Sequence, residues 1–257
     1  MDRESVVNPL NYPLLIFVIT FLLLWAVGWI GARKSQRRHA LTDEAGRSDF
    51  STVQAATLTL LGLIIGFSFS MATGRYDLRK NYEEAEANAI GTEYVRADLL
   101  PATAAAKVKG LLRQYTDLRL QWYSANNWSD VTQINTATAE VQDQLWAAVS
   151  GPANAQPTPV TALAVAGMND VLNSQGYTQA AWWNRIPVGA WCLMFAIALF
   201  CSWLVGYGIR RPEPRLLMIL PLVVAVSFFL IADIDSPRGG VIRVRAQNLE
   251  SLRAGLK

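Results

Sequence analysis

The sequence is poor in the residues from which catalytic and metal sites are built. It has one histidine and two cysteines among 257 residues, and it contains neither a P-loop nor a Gly-x-Gly-x-x-Gly pattern. No serine stands in the context of a nucleophile elbow. Two cysteines exclude a disulfide scaffold, and so few ligands leave little material for a metal site. The composition therefore predicts no enzyme, no cofactor and no bound metal.

Charge is also scarce. Only 17% of the residues are charged, 52% are hydrophobic, and the mean hydropathy is +0.20, whereas a soluble domain has about 25% charged residues. Such an apolar composition excludes a disordered chain. The net charge of +3 is too small to indicate a nucleic-acid partner. These numbers predict a membrane protein, with the lipid bilayer as its first partner.

Four segments are long and apolar enough to cross a bilayer, which takes roughly 20 residues of helix. The first segment lacks a basic region before it and is too long for a cleaved signal peptide, so it is expected to remain as a helix. The spans are predicted at about residues 12–32, 53–74, 186–209 and 216–232.

Between the second and third spans lies a stretch of soluble composition with apolar residues at helical spacing. Its proline and glycine residues predict a loop over residues 151–159. No alternating β pattern occurs. We therefore expect an all-α integral membrane protein with four transmembrane helices and a helical extramembrane domain inserted between the second and third. Its parts are a first hairpin (1–74), the insert (75–185), a second hairpin (186–235) and a C-terminal tail (236–257).

The second span has small residues at every fourth position. Such spacing lets another helix backbone approach closely, either within one subunit or around the axis of a homo-oligomer. In the second case Leu60, Leu63, Ile64 and Phe67 would face a central constriction, and an apolar constriction gates ions by dewetting. The small residues are Gly62, Gly66, Ser70 and Gly74.

Polar residues follow the second and fourth spans. The run from Glu83 to Glu93, with Glu84 and Asn88, is either a solvated helical face or the lining of a wide ion vestibule. The run from Asp233 to Gly240 is a strong helix stop. Its two aspartates are also a weak candidate for a cation site, although the EF-hand pattern is absent.

Three of these segments together resemble bestrophins. The first is Thr59–Phe67 (TLLGLIIGF), the second begins at Arg75-Tyr76-Asp77, and the third is the turn from Asp235 to Gly239 (DSPRG). The order of spans and insert also agrees. The chain as a whole resembles the bacterial bestrophin-like membrane protein family, which is related to the bestrophin chloride channels.

This resemblance implies a homopentameric ion channel that is permeable to chloride. It places the neck of the pore at Leu63 and Phe67, with Thr59 one turn earlier. Calcium gating is not implied, because Arg238 replaces a phenylalanine of the family turn and no acidic run follows it. The motif and vestibule residues that it implies are Tyr76, Asp77, Glu84, Asn88, Asp235, Pro237 and Gly239.

The sequence thus predicts a multi-pass protein of the bacterial inner membrane that assembles with itself and conducts ions, most plainly anions, through a pore lined by the second span. The alternative is a non-conducting receptor or scaffold whose insert binds a ligand or a partner protein. The basic loops favour placing the insert outside the cytoplasm, whereas the resemblance implies the opposite orientation.

Overall fold

The computed structural model describes residues 9–38, 44–209 and 213–256, and this part of the chain contains helices and no strands. His39, Arg210 and Arg211, from the predicted basic loops, lie outside it. The all-α prediction is confirmed. The helices are α1 (Pro13–Arg38), α2 (Glu44–Arg96), α3 (Ala102–Ser124), α4 (Trp128–Ala155), α5 (Pro159–Trp183), α6 (Val188–Gly208), α7 (Pro214–Asp235) and α8 (Gln247–Gly255).

The chain forms two compact units. The first consists of Met1–Arg75 and Arg185–Arg243, and the second of Tyr76–Asn184 and Val244–Lys257. The sequence predicts a separate tail over residues 236–257, whereas Val244–Lys257 belongs to the second unit together with the helical insert. A hydrophobic pattern does not reveal this association, because α8 is only 9 residues long.

Four helical regions are long and apolar enough to cross a membrane, as the sequence predicts. In the first unit, α1 and α6 approach closely through glycines. A Cβ atom at Gly206 would overlap the carbonyl oxygen of Gly28, and one at Gly31 would lie 2.5 Å from the carbonyl oxygen of Trp203. The hydroxyl of Ser202 donates to the carbonyl of Leu24 at 2.6 Å. These contacts are the small-residue packing typical of membrane helices.

The N-terminal part of α2, which belongs to the first unit, contacts α6. The rings of Phe50 and Tyr207 are 5.8 Å apart, and the thiol of Cys201 donates to the carbonyl of Thr57 at 3.4 Å. In the most apolar stretch of this helix 17% of the residues are buried, compared with 50% in α7. Most of its apolar surface is therefore uncovered within one chain.

The second unit packs the C-terminal part of α2 with α3, α4, α5 and α8 around a large hydrophobic core, beside a smaller cluster of Trp122, Val131 and Trp182. Leu112, Leu145, Met168 and Leu249 come from four of these helices, and all are completely buried. The core explains why the predicted loop over residues 151–159 is wrong. Because Ala148 and Val149 are buried in this core, α4 continues through Pro152 to Ala155, and only residues 156–158 connect it to α5.

Candidate functional site

The exposed face of α2 includes most of the residues predicted to form a neck. Leu63 and Phe67 are 54% and 63% exposed, and Leu60 and Thr59 are also exposed, whereas Ile64 is half-buried at the edge of the face. The opposite side of the helix is buried through Leu61, Ser68 and Ala72. Positions three or four residues apart share a side of a helix, so the exposed neck candidates lie on one side.

The small residues of α2 make no close contact within the described chain. A Cβ atom at Gly62, Gly66 or Gly74 would have no neighbouring atom within 4 Å, and Ser70 is exposed. The same test at Gly206 gives an overlap with another helix. Gly28, Gly31 and Gly206 are therefore in close contact with other helices of the chain, whereas Gly62, Gly66 and Gly74 are open.

The same face of α2 continues past the apolar segment with polar residues. Asp77, Glu84 and Asn88 are exposed, and Tyr76 is half-buried. Asn81 and Thr92, which are not among the predicted site residues, are also exposed and fall on this face at helical spacing. A 53-residue helix is about 80 Å long, so it extends far beyond the roughly 30 Å hydrocarbon core of a bilayer.

The other side of this polar segment is buried, which corrects part of the sequence analysis. Glu83, Glu86 and Glu93 are 1%, 0% and 0% exposed, so they are not part of a solvated face. Arg79, which is also buried, and these glutamates follow one another at intervals of four, three and seven residues. This spacing places all of them on the inner side of the helix. Glu84 alone of the four glutamates faces outward.

Glu86 is the centre of a buried polar cluster. It forms an ion pair with Arg119, and both side chains are inaccessible to solvent. The hydroxyl of Thr178 donates to the same carboxylate at 3.1 Å, and Arg119 lies 4.6 Å from the ring of Trp122. Burial, reinforced by the Glu86 carboxylate, raises the pKa of Tyr123. This cluster joins α2, α3 and α5.

Glu83 binds the N-terminus of α8. Its Oε1 atom accepts hydrogen bonds from the backbone amides of Asn248 at 2.9 Å and Leu249 at 3.0 Å, and its Oε2 accepts from the Asn248 side chain at 2.6 Å. A carboxylate at this position satisfies free amides and interacts favourably with the helix dipole. Arg253 pairs with Asp117 at 2.5 Å, so both ends of α8 are fastened.

Asp235 is the last residue of α7, and the predicted Pro237 and Gly239 lie in the turn that follows it. Asp235 accepts from the backbone amide of Ile186 at 3.1 Å, and the amide of Gly239 donates to the Ser236 hydroxyl at 3.0 Å. Asp235 therefore contacts the segment that precedes α6. Pro237 is half-buried and Gly239 is exposed.

Asp233, which with Asp235 is the weak candidate for a cation site, accepts from the amides of Val241 at 2.7 Å and Ile242 at 2.8 Å. In the described residues, no three His, Cys, Asp or Glu side chains cluster as a metal site would require. Both aspartates thus bind backbone amides.

An open groove of about 650 Å³ lies beside the polar segment of α2. The groove belongs wholly to the second unit. It is lined by Asn88, Thr92 and Val95 of α2 and by Asn248, Ser251 and Leu252 of α8.

Comparison with known proteins agrees with this architecture. A family model described as a Bestrophin-like domain matches residues 15–249. A crystal structure of a bacterial bestrophin homologue from Klebsiella pneumoniae is 13% identical, with a TM-score of 0.66 over 93% of this chain and 96% of that one. A second structure of this homologue, with one substitution, is 13% identical with a TM-score of 0.65, over 93% and 97% of the two chains. A search of curated proteins found no match.

Proposed function

Because the chain belongs to the Bestrophin-like family, we propose that it is a homo-oligomeric ion channel of the bacterial inner membrane. In this proposal five subunits surround one axis, as the resemblance to bestrophins implies, and the α2 helix of each subunit lines the pore. Residues 76–184, with α8, form the extramembrane part of each subunit.

The observation that supports this function most strongly is the uncovered face of α2. Leu63 and Phe67 are more than half exposed, and the same face becomes polar at Asp77, Glu84 and Asn88. A pore helix requires this change from apolar to polar, because a narrow apolar neck must open into a water-filled vestibule. Any helix that leaves the bilayer becomes polar, so it is the open glycines beside Leu63 and Phe67 that favour a pore face over a lipid-facing one.

The open glycines of α2 support assembly around an axis. Since Gly62, Gly66 and Gly74 have no neighbour within 4 Å in the described chain, they are available to a helix of another subunit. Small residues let backbones approach to van der Waals contact, which drives helix association in lipid. In this arrangement the larger Leu63 and Phe67 project toward the axis.

The permeation mechanism needs no chemistry. Leu63 and Phe67 lie one turn apart, so each would form an apolar ring, and water leaves a sufficiently narrow apolar ring. Ions then cross only when the neck is wide enough to stay hydrated. On this mechanism the side-chain volume at position 67 sets the conductance.

An anion and a cation are both candidates for the permeant ion. The resemblance to bestrophins implies chloride. The exposed charges of this part of α2 favour cations, because Asp77 and Glu84 outnumber the neighbouring Lys80, and rings of carboxylates attract cations and repel anions. The reversal potential in asymmetric salt distinguishes the two.

The channel function is tested by recording currents from the purified protein in planar bilayers. Phe67→Ala should increase single-channel conductance severalfold, because it removes the proposed ring. Phe69→Ala is the matched control, since Phe69 is 43% exposed but points about 160° away around the helix. Equal changes in both variants would remove Phe67 from the pore.

The mass of the detergent-solubilised protein tests the assembly. Five subunits are expected, and a monomer or dimer contradicts a pore on an axis. A correctly assembled pentamer that passes no current in any salt contradicts conduction, and leaves the receptor or scaffold alternative.

A further inference from the structure

Glu93 differs from the other buried glutamates of α2 in having no hydrogen-bond donor. Glu83 accepts from two backbone amides and the Asn248 side chain, and Glu86 accepts from Arg119 and Thr178. Glu93 is 0% exposed, and in the described part of the chain neither of its carboxylate oxygens has a partner. The three residues are all glutamates and lie on the same side of the helix. Their hydrogen bonding differs because different groups pack against them.

The backbone of α5 packs directly on this carboxylate. A Cβ atom at Gly167 would overlap Oε2 of Glu93, and would lie 2.7 Å from Nη1 of Arg96. The carboxyl group of Glu93 therefore occupies space that a side chain at position 167 would fill. The charged groups that face Glu93 are Arg96 on its own helix and Asp170 on α5, one turn beyond Gly167.

An ionised carboxylate is costly to bury without donors, whereas a protonated one is neutral and supplies its own O–H donor. Burial raises the pKa of Glu93 from 4.5 to about 8, helped by Asp170 and opposed by Arg96. The nearby guanidinium thus offsets only part of the effect of burial.

We propose that Glu93 is a proton-binding site, and that loss of its proton weakens the packing of the C-terminal end of α2 against α5. This inference concerns the second unit alone and does not depend on ion conduction.

The sign of the pH dependence follows from the two pKa values. Below pH 4.5 the group is protonated in both the folded and the unfolded unit, so its contribution to stability is greatest there. Between pH 4.5 and about 8 only the folded state keeps the proton. The folding equilibrium then falls by about tenfold per pH unit from this group. Above the upper value both states are ionised and the loss is complete.

The direct test is an infrared titration of the full-length wild-type protein in detergent. The C=O stretch of a protonated carboxyl group should disappear as the pH rises from 7 to 9, and Glu93→Gln should abolish that change. Glu84→Gln is the matched control, because Glu84 is on the same helix but exposed, and it should leave the titration unchanged.

Thermal unfolding gives the second readout. Glutamine has the shape of the protonated acid, so Glu93→Gln should fold, should equal or exceed the wild type in Tm at pH 9, and should have a shallower dependence of Tm on pH between 6 and 8. The proposal is overturned if no carboxyl group of the wild type titrates between pH 7 and 9. An E93Q variant that keeps the wild-type infrared change or the wild-type slope of Tm overturns it equally.

Discussion

The carboxylate of Glu86 and the guanidinium of Arg119 form an ion pair that is completely inaccessible to solvent. Burying two charges is costly, and their attraction offsets that cost only while both are present. The pair joins α2 to α3 inside the second unit. Its integrity is therefore expected to matter more for stability than any ion pair at the surface.

Arg119→Met should destabilise the protein by about 3–5 kcal/mol, because it leaves the Glu86 carboxylate buried and unpaired. The double variant Glu86→Gln with Arg119→Met should recover part of that loss. The measurement is unfolding in denaturant, followed by the fluorescence of tryptophan. Lys109→Ala is the control, since its partner Asp98 is 63% exposed, and such a pair contributes only about 0–1 kcal/mol. Equal losses at Arg119 and Lys109 would contradict the structural role of the buried pair.

Glu83→Ala should release α8 from the rest of the helical unit. The substitution removes the acceptor of two backbone amides and one side-chain amide, a loss of about 0.5–2 kcal/mol for a helix cap. Hydrogen exchange of residues 247–255 should accelerate several-fold, while exchange in α4 should stay unchanged. Glu84→Ala, one residue away and exposed, should have neither effect. Unchanged exchange in α8 of the Glu83 variant would show that the cap is dispensable.

The glycines of the membrane helices should separate into two classes when they are replaced by alanine. Gly206→Ala should destabilise the subunit by about 1–3 kcal/mol through overpacking, because the added Cβ overlaps the backbone of Gly28. Gly66→Ala should leave the fold of the subunit intact, since no atom lies within 4 Å and alanine is the better helix former.

Thermal stability in detergent and the mass of the assembly read out the two effects separately. Gly66→Ala is expected to shift the assembly toward smaller species without lowering the stability of the subunit. A Gly66→Ala variant that stays fully assembled would argue against close helix contact at this position.

The charge of the proposed vestibule should control ion selectivity. Removing both carboxylates, with Asp77→Asn and Glu84→Gln together, should lower the permeability of cations relative to anions severalfold. The reversal potential in a salt gradient measures this ratio. Glu140→Gln serves as the control, because Glu140 is also exposed but lies on α4. A reversal potential that does not move in the double variant would place Asp77 and Glu84 away from the ion path.

Much of the fold could be predicted from the sequence because the bilayer imposes a length. Each span needs roughly 20 apolar residues, and the four predicted segments correspond to the four helical regions that are apolar enough to cross. The resemblance to bestrophins, which depended on short motifs such as Thr59–Phe67, is confirmed by a family model over residues 15–249. The predicted loop at Pro152 is wrong, because packing of the preceding residues of α4 in a buried core allows the helix to continue through the proline.

The sequence by itself determined which segments cross the membrane, because hydrophobicity over a fixed length is a property of the segment alone. Only the tertiary structure decided which glutamates of α2 are buried and which glycines are in contact. Glu83, Glu84 and Glu86 are the same residue type and close in sequence, yet two are buried and one is exposed. Gly66 and Gly206 differ in the same way. Burial and contact depend on the neighbouring helices, and a local sequence pattern does not specify those neighbours.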